Sequence, residues 1–277
     1  MDRAHRSLAI DTALVERLLV QFVREETTSA GFSRVVLGVS GGIDSAVVAA
    51  LAARALGAKN VQGVLMPYRE SNPQSEVDGQ LMCDSIGIPY VRVDISAMAD
   101  GYVALDPKMD RLRRGNVLAR CRMIVLYDRA AAERVLVMGT SNKTELLLGY
   151  TTQFGDSASA LNPIGDLYKN QVYQLARHLQ IPEVLQAKPP SADLFAGQTD
   201  EAELGFTYDA VDRLLYLMVD ERYSEDDLVR AGFERDFVRK IVARISSTQF
   251  KRVPPIIAKL SHRTVNQDFR YLRDWGR

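Results

Sequence analysis

The chain has 277 residues, of which 47% are hydrophobic and 25% are charged, as in an ordinary soluble globular protein. Lys plus Arg and Asp plus Glu number 35 each, so the formal net charge is zero. That balance argues against a general nucleic-acid coat protein and a basic membrane-surface protein. The charged N-terminus does not resemble a signal peptide and no run of 18 apolar residues occurs. The sequence therefore predicts a cytoplasmic protein that binds neither nucleic acid nor membrane.

Short apolar runs alternate with helical segments over the first 140 residues. The runs predict strands at 34–39, 61–66, 89–95 and 134–139. The segments between them predict helices at 11–27, 45–56, 74–86 and 116–132. In the first helix the predicted apolar face is Leu14, Leu18, Leu19 and Phe22. Four alternations are typical of an α/β fold with a parallel sheet and helices on both faces.

The segments that flank these elements are less regular. Residues 96–115 predict no regular element, and the arginines of 111–115 predict a solvated loop. Beyond residue 150 the pattern predicts only helices, at 170–180, 207–219 and 234–248. The stretch 187–205 is long, polar and aperiodic, so we expect it, together with 68–75, to order over a site as a lid. We expect one domain, 1–277, with a parallel core at about 31–186 and a helical part at about 187–277.

A glycine-rich loop joins the first predicted strand to the helix that follows it. Its residues are Gly38, Val39, Ser40, Gly41, Gly42, Ile43, Asp44 and Ser45. Two glycines let the backbone approach a ligand closely, and the free N–H groups at the start of a helix favour an anion. The loop lacks the lysine of a Walker A motif and is not a GxGxxG dinucleotide loop. It predicts a phosphate site of another kind.

Asp44 is unusual in such a loop, because a carboxylate repels phosphate unless a cation lies between them. A divalent metal, most plausibly Mg²⁺, would resolve that repulsion. The alternative is that Gly41 and Gly42 only form a turn while Asp44 favours the helix N-terminus. Similarly, Glu145 could be a second metal carboxylate or simply the third residue of a capping box with Asn142.

Further motifs narrow the function. They are 116–123 (NVLARCRM), 137–145 (VMGTSNKTE), 149–156 (GYTTQFGD), 188–193 (KPPSAD), 200–205 (DEAELG) and the pair Lys251 and Arg252. The glycine-rich loop resembles the pyrophosphate loop of the N-type ATP pyrophosphatases, and the whole set resembles the NAD synthetases of that superfamily. The resemblance runs from about residue 14 to the C-terminus. It implies the Rossmann-like adenine nucleotide alpha-hydrolase fold with added C-terminal helices.

The resemblance implies amidation of deamido-NAD to NAD, in which ATP is cleaved to AMP and pyrophosphate. On the ATP side it implies that Asp44 and Glu145 hold Mg²⁺. It also implies that Thr140, Lys169 and Ser191 contact ATP together with the glycine-rich loop. Lys169 would stabilise the charge that develops during adenylation.

On the acceptor side, the resemblance implies that Arg120, Gln153, Phe250 and Lys251 contact deamido-NAD. Three departures concern this side. Gln153 stands where many members have a lysine, Ala160 where an aspartate is frequent, and Phe250 where a histidine precedes the lysine. Asp156 and Glu203 match acidic positions near the family's site.

The resemblance includes no glutaminase, so ammonia is the expected nitrogen donor, and family members of this kind are homodimers. Two alternatives remain open. The first is another N-type ATP pyrophosphatase, such as a GMP-synthetase-like amidotransferase or a tRNA-thiolating enzyme. Zero net charge and only two cysteines, Cys83 and Cys121, disfavour the tRNA enzyme. The second is a nucleotide-binding module without catalytic activity.

Overall fold

The structure, a computed structural model, describes residues 8–191, 200 and 204–265. Within them four parallel strands form one sheet in the order β3–β2–β1–β4. The strands are β1 (Val35–Gly38), β2 (Val61–Leu65), β3 (Tyr90–Arg92) and β4 (Leu136–Val137). All four predicted strands are confirmed, each shorter than expected. The predicted α/β class is confirmed with them.

The helices of the described residues pack on both faces of this sheet and beyond its carboxyl edge. They are α1 (Thr12–Ser29), α2 (Ile43–Leu56), α3 (Pro73–Ile86), α4 (Ser96–Val103), α5 (Arg111–Glu133), α6 (Lys143–Leu148), α7 (Lys169–His178), α8 (Glu183–Ala187), α9 (Tyr208–Leu215), α10 (Glu225–Arg230) and α11 (Arg235–Ser247). None of these helices is both long and apolar enough to cross a membrane.

Strand β1 occupies an interior position and is buried on both faces, as its unbroken apolar run predicts. Val35 and Leu37 pack into the main core with α2, α7 and the inner face of α1. Val36, which points the opposite way, packs with Val64 and Val137 against α5. The chain therefore leaves β1 at the carboxyl edge of the sheet, between the helices that cover its two faces.

Two predicted apolar faces were right only in part: the one on α1, of which Leu19 and Phe22 pack against the core, and the one predicted on α5 at Leu118, Met123, Ile124 and Tyr127. On α1, Leu14 and Leu18 are exposed, whereas Val23 is fully buried and Val15 and Leu19 pack against the core. Apolar residues surround most of this helix, so periodicity alone did not select the buried stripe. On α5, Leu118 is buried as predicted, but Ile124 and Tyr127 are exposed.

Helix α5 also begins earlier than predicted, at Arg111 instead of 116. The carboxylate of Asp110 accepts the backbone N–H of Arg113 at 2.8 Å and caps the helix. Arg113 pairs with Asp106, and Arg114 pairs with Glu70. The arginine run is therefore the first turn of a helix rather than a loop. The short helices α4, α6, α8 and α10 were not predicted, because few turns give a weak periodic signal.

The C-terminal helices build a second hydrophobic core. Its buried members from beyond residue 200 are Leu204, Tyr208, Val211, Leu214, Leu215, Leu217, Leu228, Val238 and Ile241. Leu148 of α6 and Tyr168, next to α7, belong to the same core, so these helices pack directly against the elements that follow β4. Much of the predicted lid at 187–205 lies outside the described residues, including Glu203 and Asp193 of the 188–193 motif.

Candidate active site

A cavity of about 1100 Å³ opens at the carboxyl edge of the sheet. Its walls come from the loops after β1, β2 and β4, from α3 and α5, and from the segment after α8. In open α/β sheets this edge is where ligands bind. The volume is large enough for a nucleotide-sized ligand, since such pockets commonly run to roughly 1,000 Å³.

The glycine-rich loop lies at the inner wall of this cavity. Gly41 has a φ of +72°, and a Cβ there would meet the carbonyl oxygen of Ser75 at 2.3 Å. Only glycine fits this turn. The hydroxyl of Ser45 donates to the carbonyl of Gly42 at 3.0 Å and lies 3.1 Å from the Ser40 hydroxyl. These contacts fix the conformation of the loop, and α2 begins within it at Ile43.

Three charged residues that the family resemblance assigns to the ATP side meet beside this loop. The ammonium group of Lys169 pairs with the Asp44 carboxylate, and it lies 3.7 Å from Oε1 of Glu145. Asn142 links the two carboxylates, because its Nδ2 donates to Asp44 at 3.0 Å and its backbone N–H donates to Glu145 at 3.2 Å. The structure thus brings Asp44, Glu145 and Lys169 into one cluster.

The capping box predicted as the alternative role of Glu145 is also present. The Asn142 side chain accepts the backbone N–H of Glu145 at 3.0 Å. The two roles are compatible, since Oε2 serves the cap while Oε1 faces Lys169.

Burial makes the charges in this cluster interdependent. Burial and the nearby charge of Asp44 raise the pKa of Glu145 to about 8. Burial opposes the charge of Lys169, but the carboxylates of Asp44 and Glu145 outweigh it and raise the pKa of Lys169. One ammonium therefore faces two carboxylates, and a further cation would relieve their mutual repulsion.

The donor set fits a hard divalent cation. Mg²⁺ prefers oxygen ligands and is commonly held by one or two carboxylates together with water and substrate phosphates. Asp44 and Glu145 provide two carboxylates at the wall of a cavity that also contains the glycine-rich loop. Within the described residues, no group of three or more candidate ligands forms a closed metal cage. An open site completed by phosphate suits this arrangement.

Thr140 and Ser191 line the same cavity, at the end of β4 and after α8 respectively. Three residues before Ser191, Lys188 makes a contact that the sequence did not predict. Its ammonium donates to the Gly41 carbonyl at 3.3 Å and pairs with the buried carboxylate of Asp78 at 2.8 Å. Lys188 thereby ties the segment after α8 to the glycine-rich loop.

Asp200 is a second residue whose role sequence reasoning missed. It lines the cavity and is buried, with the hydroxyls of Tyr150 and Tyr208 donating to it at 3.2 and 3.0 Å. Burial raises its pKa. Its membership of the 200–205 motif was the only signal, and nothing in the local pattern distinguished it from Glu203.

The predicted acceptor residues have a different environment. Arg120 donates to the backbone carbonyl of Gln153 at 3.2 Å. The side-chain amide of Gln153 donates to the backbone carbonyl of Phe250 at 3.4 Å. Arg120 and Phe250 are exposed and Gln153 is half-buried, and all three lie outside the residues that line the cavity. The four predicted acceptor residues therefore do not share one surface: three form a hydrogen-bonded row outside the cavity, and Lys251 lines the cavity.

Lys251 is held by the loop that carries the 149–156 motif. Its ammonium donates to the carbonyls of Gly149 and Thr151 at 2.8 and 2.6 Å, and burial lowers its pKa. Asp156 also lines the cavity, and burial raises its pKa. The backbone N–H of Thr152 donates to Asp156 at 2.8 Å, which closes the loop on itself.

Comparison with known proteins was made on both sequence and structure. The family model for NAD synthase matches residues 15–255. The NH₃-dependent NAD⁺ synthetase of Trichlorobacter lovleyi is 54% identical over 270 residues, covering 98% of this chain and 99% of that protein.

Solved structures agree in fold. The NH₃-dependent NAD synthetase of Campylobacter jejuni, in complex with nitrate, has a TM-score of 0.77 at 34% identity and covers 90% of this chain and 100% of that one. An NMN synthetase from Francisella tularensis has a TM-score of 0.80 at 28% identity, covering 90% and 99%. Together with the cavity at the carboxyl edge of the sheet and the charge cluster beside the glycine-rich loop, these matches show that the chain belongs to the NAD synthase family.

Proposed function

We propose that the chain catalyses the ATP-dependent amidation of deamido-NAD to NAD, with ammonia as the nitrogen donor. The observation that carries this proposal is the cluster of Lys169, Asp44 and Glu145 beside a Ser-Gly-Gly loop, in a member of this family. The enzyme is a ligase that forms a carbon–nitrogen amide bond, and ATP is its co-substrate.

The reaction has two steps. In the first, a carboxylate oxygen of deamido-NAD attacks the α-phosphorus of ATP, the bond between the α- and β-phosphates breaks, and pyrophosphate leaves. In the second, ammonia attacks the activated acyl carbon, the bond from that carbon to the AMP oxygen breaks, and AMP leaves with the electron pair. The nitrogen loses one proton to become the neutral amide of NAD.

The chain's own residues serve the first step. The N–H groups at the start of α2 and the hydroxyls of Ser40 and Ser45 bind phosphate oxygens. Lys169 stabilises the negative charge that develops on the departing pyrophosphate, as a fixed cation in a buried position. Thr140 and Ser191 contact the nucleotide from the opposite walls. Asp44 and Glu145 would hold Mg²⁺, which when bound supplies Lewis-acid stabilisation of the phosphates.

The acceptor site is proposed to be completed by a second subunit. Arg120 and Phe250 are exposed and Gln153 is half-buried, although the family resemblance assigns all three positions to deamido-NAD. Exposed apolar side chains occur close in the chain to Arg120 and Gln153, namely Ile124 and Tyr127 on α5 and Phe154. A homodimer that covers this surface would bury these side chains and enclose the acceptor. A cytoplasmic location belongs to the same proposal.

The proposal is tested with the purified chain, ATP, Mg²⁺ and ammonium chloride, with deamido-NAD as acceptor. We expect NAD, AMP and pyrophosphate in equal amounts, and no turnover with glutamine in place of ammonium. Xanthosine monophosphate and tRNA, tried as alternative acceptors, should give no AMP, which separates this proposal from the other N-type ATP pyrophosphatases. Formation of ADP and phosphate, or equal use of glutamine, would contradict it.

Nicotinic acid mononucleotide is the informative second acceptor, because one structural neighbour is an NMN synthetase. We expect this shorter acceptor to be used with a much lower kcat/KM than deamido-NAD. A preference for the mononucleotide would overturn the assignment of the acceptor while leaving the adenylation chemistry in place.

A further inference from the structure

Helix α9, in the C-terminal helical core, supports Lys169 at two points. The Nζ atom of Lys169 lies 5.2 Å from the centre of the Tyr208 ring, within the range of a cation–π contact. Asp212 lies one turn further along α9, so it is on the same face of the helix as Tyr208. Tyr208 faces the side chain of Lys169, and Asp212 faces the backbone at the start of α7.

Asp212 joins the two short segments that carry the catalytic charges. It is fully buried, and its Oδ1 accepts the hydroxyl of Thr144 at 2.5 Å. Its Oδ2 accepts both the backbone N–H and the side-chain amide of Asn170, at 2.7 and 3.0 Å. The hydroxyl oxygen of Thr144 in turn accepts the backbone N–H of Lys169 at 3.0 Å.

These four bonds meet between Lys169 and Glu145. Thr144 precedes Glu145 at the start of α6, and Asn170 follows Lys169 at the start of α7. The first N–H groups of a helix have no partner within the helix, so an outside acceptor fixes where the helix begins. A buried carboxylate at that position also suits the positive end of the helix dipole of α7.

The cost of burying this charge indicates that its position matters. Burial raises the pKa of Asp212 to about 6, although its hydrogen bonds with Thr144 and Asn170 oppose that rise. Asp212 lies outside the residues that line the cavity, so it does not touch substrate. An apolar residue of similar volume would pack into the same core without this cost.

We propose that Asp212 is a positioning residue for adenylation, which acts through Thr144 and Asn170 to fix Lys169 relative to Glu145. The inference rests on the proposed function, because the charge that Lys169 stabilises is that of the departing pyrophosphate. A small displacement of Lys169 reduces its effect in the transition state more than it reduces ATP binding, since the loop and the walls bind most of the nucleotide.

The test uses the pair Thr144→Val and Thr144→Ser. Valine keeps the shape but removes the hydroxyl that joins Lys169 to Asp212, whereas serine retains it. The readout is deamido-NAD-dependent exchange of labelled pyrophosphate into ATP. We expect Thr144→Val to lower kcat at least about ten-fold with KM for ATP within about two-fold, and Thr144→Ser to retain most of the activity. Asp212→Asn should show the same loss of kcat at little change in KM.

Val211→Ala is the matched control. Val211 is fully buried in the same core and adjacent to Asp212, so its truncation lowers the melting temperature without touching the hydrogen bonds. Its kcat should stay within about two-fold of the parent well below the melting temperature.

The inference would be overturned if folded Thr144→Val and Asp212→Asn kept the parental kcat. It would also be overturned if Val211→Ala lost as much kcat as they do. Absence of exchange in the parent chain would instead contradict the proposed function.

Discussion

The proposed ATP side and the proposed acceptor side of the site differ in how far the chain builds them by itself. Beside the glycine-rich loop, Lys169 pairs with Asp44 and lies close to Glu145. Asn142 donates to Asp44, and Tyr208 of α9 packs against the ammonium group of Lys169. On the proposed acceptor side, Arg120 and Phe250 are exposed, Gln153 is half-buried, and hydrogen bonds to backbone carbonyls join the three. The ATP side is therefore preorganised without ligand, whereas the acceptor side needs a ligand or a second subunit to complete it.

This difference predicts where substitutions act. A preorganised charge contributes most to the transition state, so its loss should appear in kcat. An exposed contact contributes mainly to binding, so its loss should appear in the KM for deamido-NAD.

Lys169→Met should have the largest effect. It keeps a long side chain but leaves Asp44 and Glu145 without their shared counter-charge in a buried position. We expect kcat for NAD formation to fall by roughly three orders of magnitude, because a buried electrostatic group is lost. Steady-state kinetics with saturating ATP and ammonium measure it. Lys143→Met, on a lysine that pairs with Asp220 away from the cavity, is the control and should retain activity. Loss of activity in both variants would contradict a specific role.

Asp44→Asn and Glu145→Gln should each lower kcat/KM by roughly two orders of magnitude. Both carboxylates face Lys169 and would hold the same Mg²⁺, so their effects should overlap. The double variant should be worse by much less than the product of the single losses. Near-parental turnover in Asp44→Asn, or losses that multiply cleanly, would leave only the helix-terminus and capping roles for these residues.

Substitutions on the acceptor side should have moderate effects of a different kind. Arg120→Ala should raise the KM for deamido-NAD about ten-fold, as one exposed charged contact is lost, with the KM for ATP nearly unchanged. Phe250→His should also change the KM for deamido-NAD, because histidine adds a hydrogen-bonding group at that position. A selective effect of either variant on ATP would show that the acceptor side is wrongly placed.

The smallest predicted effect concerns stability beneath the ATP side. The pKa of Asp212 is raised to about 6 in the folded chain, above its ordinary value, so ionisation opposes folding. Its contribution to stability is therefore present at acid pH and is lost as the pH rises through about 6. Between pH 5 and pH 7 the parent should lose about 1 kcal/mol of unfolding free energy relative to Asp212→Asn. Urea denaturation of both proteins at these two pH values measures the difference, and parallel pH profiles would contradict it.

The sequence predicted the fold well because the fold depends on local patterns, whereas the ATP-binding role of the residues beside the glycine-rich loop stays a prediction. The apolar run before Gly38 predicts a buried strand, which the structure confirms, and the glycines after it predict a phosphate loop, which lies at the carboxyl edge of the sheet. Asp44 and Glu145 follow the neighbouring strands β1 and β4, so strand order brings them together, whereas the family resemblance alone assigned Lys169, at the start of α7, to this site. The family comparisons confirm the assignment to NAD synthetases.

What the sequence did not predict depends on contacts between distant segments. Asp212 shows no local motif, and its role arises because α9 packs against the starts of α6 and α7. Lys188 pairs with Asp78 across 110 residues of chain. The exposure of Ile124 and Tyr127 on α5 likewise reflects which face the sheet covers, and a helix that is apolar on several sides does not encode that choice.

The central claim is that the preorganised ATP side adenylates the carboxylate of deamido-NAD. Exchange of labelled pyrophosphate into ATP, in the absence of ammonium, tests it most directly, because exchange reports formation and reversal of the adenylated intermediate alone. We predict exchange that requires deamido-NAD and Mg²⁺ and that is abolished in Lys169→Met but retained at high deamido-NAD concentration in Arg120→Ala. Exchange without deamido-NAD, or full exchange in Lys169→Met, would contradict the account.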